Sequence, residues 1–298
     1  MNIIKYKKYN FFDNFKNNIN VLVLSDIHFS NYVSKRTKNL FKNLSNEKIN
    51  YLLIPGDLID YYDVVYDNKL KDEIFESLKY FTEKNIKVFI ILGNHDFYEN
   101  KSKKRYIYDI SDKVFFKELK KIPNIHILNN EIYEDKNIII NGISLPIEYY
   151  KNNNGIENKD ILISTLKKNI VEERKNKIKI MMIHSPFYIN DNDIKEYIKI
   201  YDIVICGHFH NGAVPILLDD IWKSNNGIIG PYYKKFPLNC RGILNDKIIV
   251  CGAINTVQPK GLIYKLIDFC FPIHVCKIEF IKDINKKIIK KEKYKRNS

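Results

Sequence analysis

At 298 residues, 45% of them hydrophobic, the chain is long enough for one large domain or two small ones and has the composition of a soluble globular protein. No segment approaches the roughly 18 apolar residues of a transmembrane helix, and Met1 to Asn20 lacks the apolar core of a signal peptide. A net charge of +14 and a pI near 9.2 favour anionic partners such as nucleic acid, phospholipid headgroups or phosphorylated metabolites, but the lysines are dispersed, as a solvated coat set by genome composition would leave them.

Asn20 to Leu24 is a β-branched-rich run that predicts a short strand ending at Ser25-Asp26. Lys35 to Lys48 reads as a helix with Leu40, Phe41 and Leu44 on one face. Tyr51 to Ile54 predicts the next strand, closed by Pro55-Gly56-Asp57. In Leu70 to Lys84 the spacing of Leu70, Ile74, Leu78 and Phe81 predicts an amphipathic helix. Lys87 to Leu92 predicts a third strand, closed by Gly93-Asn94. This β-α-β alternation implies a mostly parallel sheet covered by helices.

Further on, a helix is expected near Lys113 to Lys121, with strands near Ile125 to Leu128 and Asn137 to Ile143. Lys151 to Gly155 reads as a polar loop and Lys159 to Arg174 as a helix. The strands Ile178 to Ile183 and Ile203 to Cys206 then deliver His184 and Gly207-His208. Strands near Ile228, Lys247 to Cys251 and His274 to Phe280 come with turns and few helices, which predicts a second, more antiparallel sheet packed on the first. The expected architecture is α/β, one domain over 1–298 with its core at about 20–280. A basic tail over 282–298 would follow as a frayed helix or a polyanion-binding arm. The five cysteines are odd in number and form no CxxC pair, so a reduced, cytoplasmic setting is expected, with room for peripheral membrane contact.

Five polar clusters stand where hydrophobic runs end: Asp26-Ile27-His28, Gly56-Asp57, Gly93-Asn94-His95-Asp96, His184 and Gly207-His208-Phe209-His210. Carboxylates, imidazoles and a carboxamide are ligands for divalent metals such as zinc, manganese and iron. In open α/β sheets, sites form beyond the carboxyl ends of the strands, so residues distant in sequence can converge there. Gly56, Gly93 and Gly207 would permit tight turns that aim the next side chain inward. His28 and His210 each follow another candidate ligand by two positions, which in extended chain puts a pair on one side.

This ordered set resembles the calcineurin-like metallophosphoesterase family from about Val21 to His210. The resemblance implies a two-layered β-sandwich flanked by helices (αββα) and two divalent metal ions. One would be held by Asp26, His28, Asp57 and His210, the other by Asp57, Asn94, His184 and His208, with Asp57 bridging. Manganese comes first for mixed oxygen and nitrogen ligation, with iron, zinc and cobalt as alternatives. The implied reaction is phosphoester hydrolysis by a metal-bridging hydroxide, with diesters somewhat favoured over monoesters. His95 would stabilise the transition state or protonate the leaving oxygen, and Asp96 would orient His95 or cap the following turn.

The family core does not choose the substrate, which could be a nucleotide, a lipid or a sugar phosphate. Phe97-Tyr98 could form an aromatic wall, and Gly230 to Pro237, shortly after the last ligands in sequence, mixes aromatic and cationic residues that could hold a phosphate-bearing substrate or form an edge strand with a solvated lysine pair. Many bacterial relatives carry Gly-His-Thr-His-Gly-Gly where this chain has Gly207-His208-Phe209-His210-Asn211-Gly212. Two alternatives remain open: a nuclease, which the positive charge favours but for which no basic strip is evident, and a catalytically silent scaffold of the same fold.

Overall fold

Val21, Leu22, Val23 and Leu24 are all buried, although successive side chains of a strand point to opposite faces. Both faces of this strand are therefore covered, and the rest of the architecture follows from how. The computed structural model describes residues 4–13, 15, 17–100, 105–151, 157–171, 177–215, 218, 225–231, 235–255, 271, 273–282 and 288–292. Its elements are β1 (Ile4–Asp13), β2 (Ile19–Val23), α1 (Lys35–Ser45), β3 (Tyr51–Pro55), α2 (Asn68–Thr82), β4 (Lys87–Ile91), β5 (Tyr98–Asn100), β6 (Arg105–Tyr106), α3 (Val114–Lys120), β7 (Ile125–Ile127), β8 (Glu131–Glu134), β9 (Ile138–Ile143), α4 (Ile147–Tyr150), α5 (Lys159–Lys168), β10 (Ile178–Ile183), α6 (Asn192–Ile198), β11 (Ile203–Cys206), β12 (Gly242–Leu244), β13 (Ile248–Val250), β14 (Ile273–Lys282) and β15 (Ile288–Glu292).

The strands form two main sheets, ordered β15-β1-β14-β2-β3-β4-β7 and β12-β13-β11-β10-β9-β8. Val21, Val23, Leu53, Phe89 and Ile91 of the first sheet pack against Ile138, Ile140, Ile180, Met182, Ile203 and Ile205 of the second. The alternate residues face outward. Leu22, Leu52, Ile54, Val88 and Ile90 meet α1 and α2 through Leu40, Phe41, Leu44, Ile74, Leu78 and Phe81. On the other sheet, Met181, Ile183 and Val204 share the outer core with Leu162, Leu166, Ile194 and Ile198 of α5 and α6. The result is helix, sheet, sheet, helix, as the α/β sandwich expectation required. Side-chain caps start three of these helices: Ser34 accepts from Thr37 N, Asp67 from Lys69 N, and Asn158 from Asp160 N.

Several expectations need correction. The second sheet is not the C-terminal part of the chain. It begins at β8, and β9, β10, β11 and β13 pair in parallel, with antiparallel partners only at its edges. β14 instead returns to the first sheet, antiparallel to β2. The N-terminal segment is β1, parallel to β14 from Ile4↔Ile273 to Asp13↔Lys282, so the sheet starts well before residue 20. Its polar alternation concealed it: Tyr9 and Phe11 reach the inter-sheet core, while Lys5 and Lys7 on the same face are buried near its other end. Within the basic tail, residues 288–292 form β15, antiparallel to β1, and the expected frayed helix is not found there. Near Ile228, among the described residues, the expected strand is reduced to a bridge, Ile229↔Lys235. Residues 152–156, 172–176 and 232–234, on which parts of the loop, helix and rim expectations fall, lie outside the described residues, as does Cys270. Cys206, Cys240, Cys251 and Cys276 are free and buried. Among the described residues, no helix is long and apolar enough to cross a membrane.

If β1 is integral to the sheet, Phe11→Ala should be costly. Phe11 stacks on Phe280 with ring centroids 5.5 Å apart, and its loss is expected to destabilise the fold by about 3–5 kcal/mol. Urea denaturation measures this. An unchanged midpoint would make β1 an appendage.

Candidate metal centre

β2, β3 and β4 run parallel in one sheet, and β10 and β11 run parallel in the other. Their carboxyl ends therefore converge. Asp26 and His28 follow β2, Asp57 follows β3, Asn94 follows β4, His184 follows β10, and His208 and His210 follow β11. Backbone contacts tie these loops together: His28 N donates to Asp57 O at 3.0 Å and Gly207 N to His184 O at 2.9 Å. A parallel bridge joins Ser25 to Ala253.

The motif glycines act mainly through the space they leave. Only Gly56 of the three has a positive φ, 93°, so the expected turn argument holds for it alone. A Cβ on Gly93 would lie 2.3 Å from Asp57 Oδ1, and one on Gly207 would lie 2.6 Å from Asp26 Oδ2. A Cβ on Gly56 would lie 2.4 Å from His184 Nδ1. Each glycine is thus a socket for a candidate ligand. Asp26, His28, Asp57, His208 and His210 themselves adopt left-handed backbone, with φ between 47° and 71°. That conformation costs a non-glycine residue about 1 kcal/mol or more, and such strain concentrates at functional sites.

Among the described residues three groups of donor atoms result, each with its donor atoms within 4.8 Å of one another. Asp26, His28, Asp57 and His210 form the first, Asp57, His184 and His208 the second, and His28, Asp60 and His95 a third toward the side of His95. Asp57, 1% exposed, belongs to the first two. His28 Nε2 and His210 Nε2 face each other at 3.1 Å. His210 Nε2 lies 3.3 Å from Asp26 Oδ1, and His184 Nε2 lies 3.2 Å from both Asp57 Oδ2 and Asn94 Oδ1. Imidazole nitrogens pointed at one another and at carboxylates fit a cation between them. His184 Nδ1 sits 2.7 Å from the carbonyl of Pro55, which orients the ring with Nε2 inward.

The electrostatics agree with this reading. Burial, with the neighbouring His95 charge, pushes the His28 pKa down to about 3, so the ring is the neutral form that binds metals. Burial also works against charging His184, but Asp57 outweighs it and raises that pKa to about 10. Burial likewise opposes ionisation of Asp57, yet His184 and His95 hold its carboxyl well below the usual range.

One carboxylate departs from its expected role, and two others hold places for which no role was expected. Asp96 does not touch His95. Its buried carboxylate accepts from Asp57 N at 3.0 Å, Gly93 N at 2.9 Å and Ile59 N at 3.1 Å, so it fastens the β3 and β4 loops to each other. Burial and the nearby Asp57 push its pKa up to about 7. His95 instead faces Asp60, its Nδ1 2.9 Å from both Oδ1 and the Asp60 carbonyl oxygen. Asp60 follows Asp57 by three positions in Gly56-Asp57-Leu58-Ile59-Asp60, a signal that was available in the sequence. A second omission is Glu157, 2% exposed, with Oε1 3.0 Å from His208 Nε2. Nothing in its local sequence marked it. On the rim, Tyr98 lies beside His95 at 5.1 Å between centroids, while Phe97 is buried in the core and forms no wall.

A buried Asp/His cluster on the joined strand ends of an αββα sandwich is a set of residues that could hold metal ions. The calcineurin-like phosphoesterase family model matches residues 19–212, and the chain belongs to that family as a metal-dependent phosphoesterase. No curated protein sequence matches it. Among solved structures it is similar to the phosphopantetheinyl hydrolase of Mycobacterium tuberculosis, with 11% identity over 64% of this chain and 83% of that one, TM-score 0.36. It is also similar to the Pseudomonas putida nuclease MPE, with 14% identity over 64% and 61%, TM-score 0.30. The NAD nucleotidase of Haemophilus influenzae matches at 15% identity over 66% and 39%, TM-score 0.34. The chain thus spans less than two thirds of the nuclease and of the nucleotidase.

Gly93→Ala tests the socket argument. The added methyl would displace Asp57, and bound metal measured by plasma mass spectrometry should fall to half or less of the wild-type content. Full metal content would show that the loop yields without moving Asp57.

Proposed function

We propose that this chain hydrolyses phosphoester bonds at two divalent cations, with diesters preferred to monoesters. Asp26, His28, Asp57 and His210 would hold one cation, and Asp57, Asn94, His184 and His208 the other. The observation that carries this reading is the sharing of Asp57 by the first two donor groups. One carboxylate between two cations screens their mutual repulsion. When bound, such a pair polarises phosphoryl oxygens and acidifies water. Manganese is the first candidate, with iron, zinc and cobalt as alternatives.

His95 supplies the acid. Its side chain is 21% exposed at the mouth of the site. Burial opposes its protonation, but Asp57 and Asp60 raise its pKa above the ordinary value. A protonated imidazole in this position can give its proton to the departing alcohol oxygen. Asp60 acts through His95 as a positioning residue. The diester preference is supported by aromatic side chains at both ends of the cluster, Tyr98 beside His95 and Phe187 beside His208, which suit a phosphorus bearing two organic groups. A nucleotide, a lipid or a sugar phosphate would each meet that description. We also take 1–298 as one catalytic unit, because β1 and β14 join the two ends of the chain in the sheet that carries Asp26 and Asp57.

Bis-p-nitrophenyl phosphate and p-nitrophenyl phosphate, offered to apo protein with manganese restored, test the reaction. Metal-dependent cleavage favouring the diester is expected, and Asp57→Asn should lower it at least about 100-fold together with the metal content. Turnover that survives Asp57→Asn would refute the shared ligand.

The pH profile tests His95. An acid works while protonated, so the rate of the metal-loaded protein should fall as pH rises through the pKa of His95. Asp60→Asn removes one of the charges holding that pKa up, and the alkaline limb should move to lower pH. His95→Asn should lose about 100-fold or more in rate with metal retained. An alkaline limb that stays in place in Asp60→Asn would separate Asp60 from the acid.

A further inference from the structure

Glu157 is a buried carboxylate outside the five polar clusters that end the hydrophobic runs. It precedes α5 and is 2% exposed. Leaving a carboxylate in such a place is costly unless its oxygens are matched. Oε2 is matched: Tyr149 Oη and Ser185 Oγ each donate to it at 2.6 Å. The Glu157 carbonyl also accepts from Tyr188 Oη at 2.9 Å, so the residue is fastened on two sides. Oε1 is different. It is buried and lies 3.0 Å from Nε2 of His208, close enough for an ion pair but without the alignment of a hydrogen bond.

His208 has two ring nitrogens. If Nε2 is turned to a fixed carboxylate, Nδ1 remains for a cation. His184, the other histidine of the same group, is arranged in the opposite sense, with Nδ1 on the Pro55 carbonyl and Nε2 toward Asp57. The two rings pack against each other at 4.9 Å between centroids, so each limits the other's rotation. Ser185 also joins the two arrangements, because it follows His184 in the chain and donates to Glu157.

We propose that Glu157 is a positioning residue of the second cation site, its fixed negative charge 3.0 Å from Nε2 of His208 keeping that nitrogen on the protein side so that Nδ1 is the ligand atom. A carboxylate behind an imidazole orients the ring and raises its basicity, and removal of such a partner commonly weakens metal binding about 10- to 100-fold. Tyr149 and Ser185 hold the carboxylate in place. The proposal rests on the two-cation reading given above.

Manganese titration of apo protein tests it, with wild type, Glu157→Gln and Glu157→Ala compared by calorimetry. In wild type two manganese ions should bind. Glu157→Ala should weaken one of them about 10- to 100-fold and leave the other in place. Glu157→Gln keeps the side-chain volume and an oxygen facing Nε2, so it should fall between the two and melt, as apo protein, close to wild type. A readout that a merely structural glutamate would not move is the imidazole nitrogen NMR of zinc-loaded protein. His208 should carry its proton on Nε2 and its metal on Nδ1 in wild type. Unchanged manganese affinities in both variants, or a His208 coordinated through Nε2, would overturn the assignment of Glu157 while leaving the two-cation reading intact. Fewer than two ions bound by wild type would overturn both.

Discussion

Asp57 is a carboxylate with almost no access to water, placed where two sheets meet, and much of the site is arranged to accommodate its charge. An unpaired anion in that position would be prohibitively costly. Its Oδ1 accepts from His95 N at 2.8 Å, and its Oδ2 faces His184 and His28. Gly93 leaves room for it, and Asp96 holds its own backbone N–H. The requirement for positive charge around Asp57 is what a pair of divalent cations would meet.

The double sheet makes this concentration of charge possible. Each sheet alone could bring a few parallel strand ends together. Stacking two sheets brings Asp26, Asp57 and Asn94 from one side against His184, His208 and His210 from the other. The inter-sheet layer of Val, Leu, Ile, Phe and Met side chains fixes the separation. Interiors packed at this density do not deform gradually, so the polar atoms above them inherit that rigidity. The strained φ values of Asp26, His28, Asp57, His208 and His210 are maintained by the same surroundings.

Around the candidate ligands and His95 stand groups that orient them: the Pro55 carbonyl on His184, Asp60 on His95, and Ser25 on Asp26. Histidine is ambiguous by nature, since either nitrogen can donate or accept. Orientation by a neighbour is what turns a nearby histidine into a defined donor atom. A cluster that lacked these neighbours would hold the same residues with less definite chemistry.

The sequence alone determined the helices and strands whose periodicity was strong. α2 and β10 are where Leu70-Ile74-Leu78-Phe81 and Ile178 to Ile183 place them. It also determined which side chains stand at strand ends, because a run of apolar residues followed by a glycine and a polar residue is a local pattern. β1 was not legible, because its lysines break the apolar alternation and only the β14 partner makes it a strand. Asp60 takes the place expected of Asp96 beside His95, because adjacency in the chain does not say which carboxylate a ring nitrogen faces. Glu157 was invisible for a stronger reason: its meaning lies in His208, Tyr149 and Ser185, which reach it across helices and loops. Strand periodicity is a property of neighbouring residues, whereas the pairing of buried polar atoms is decided by long-range packing, and only the tertiary structure could decide it.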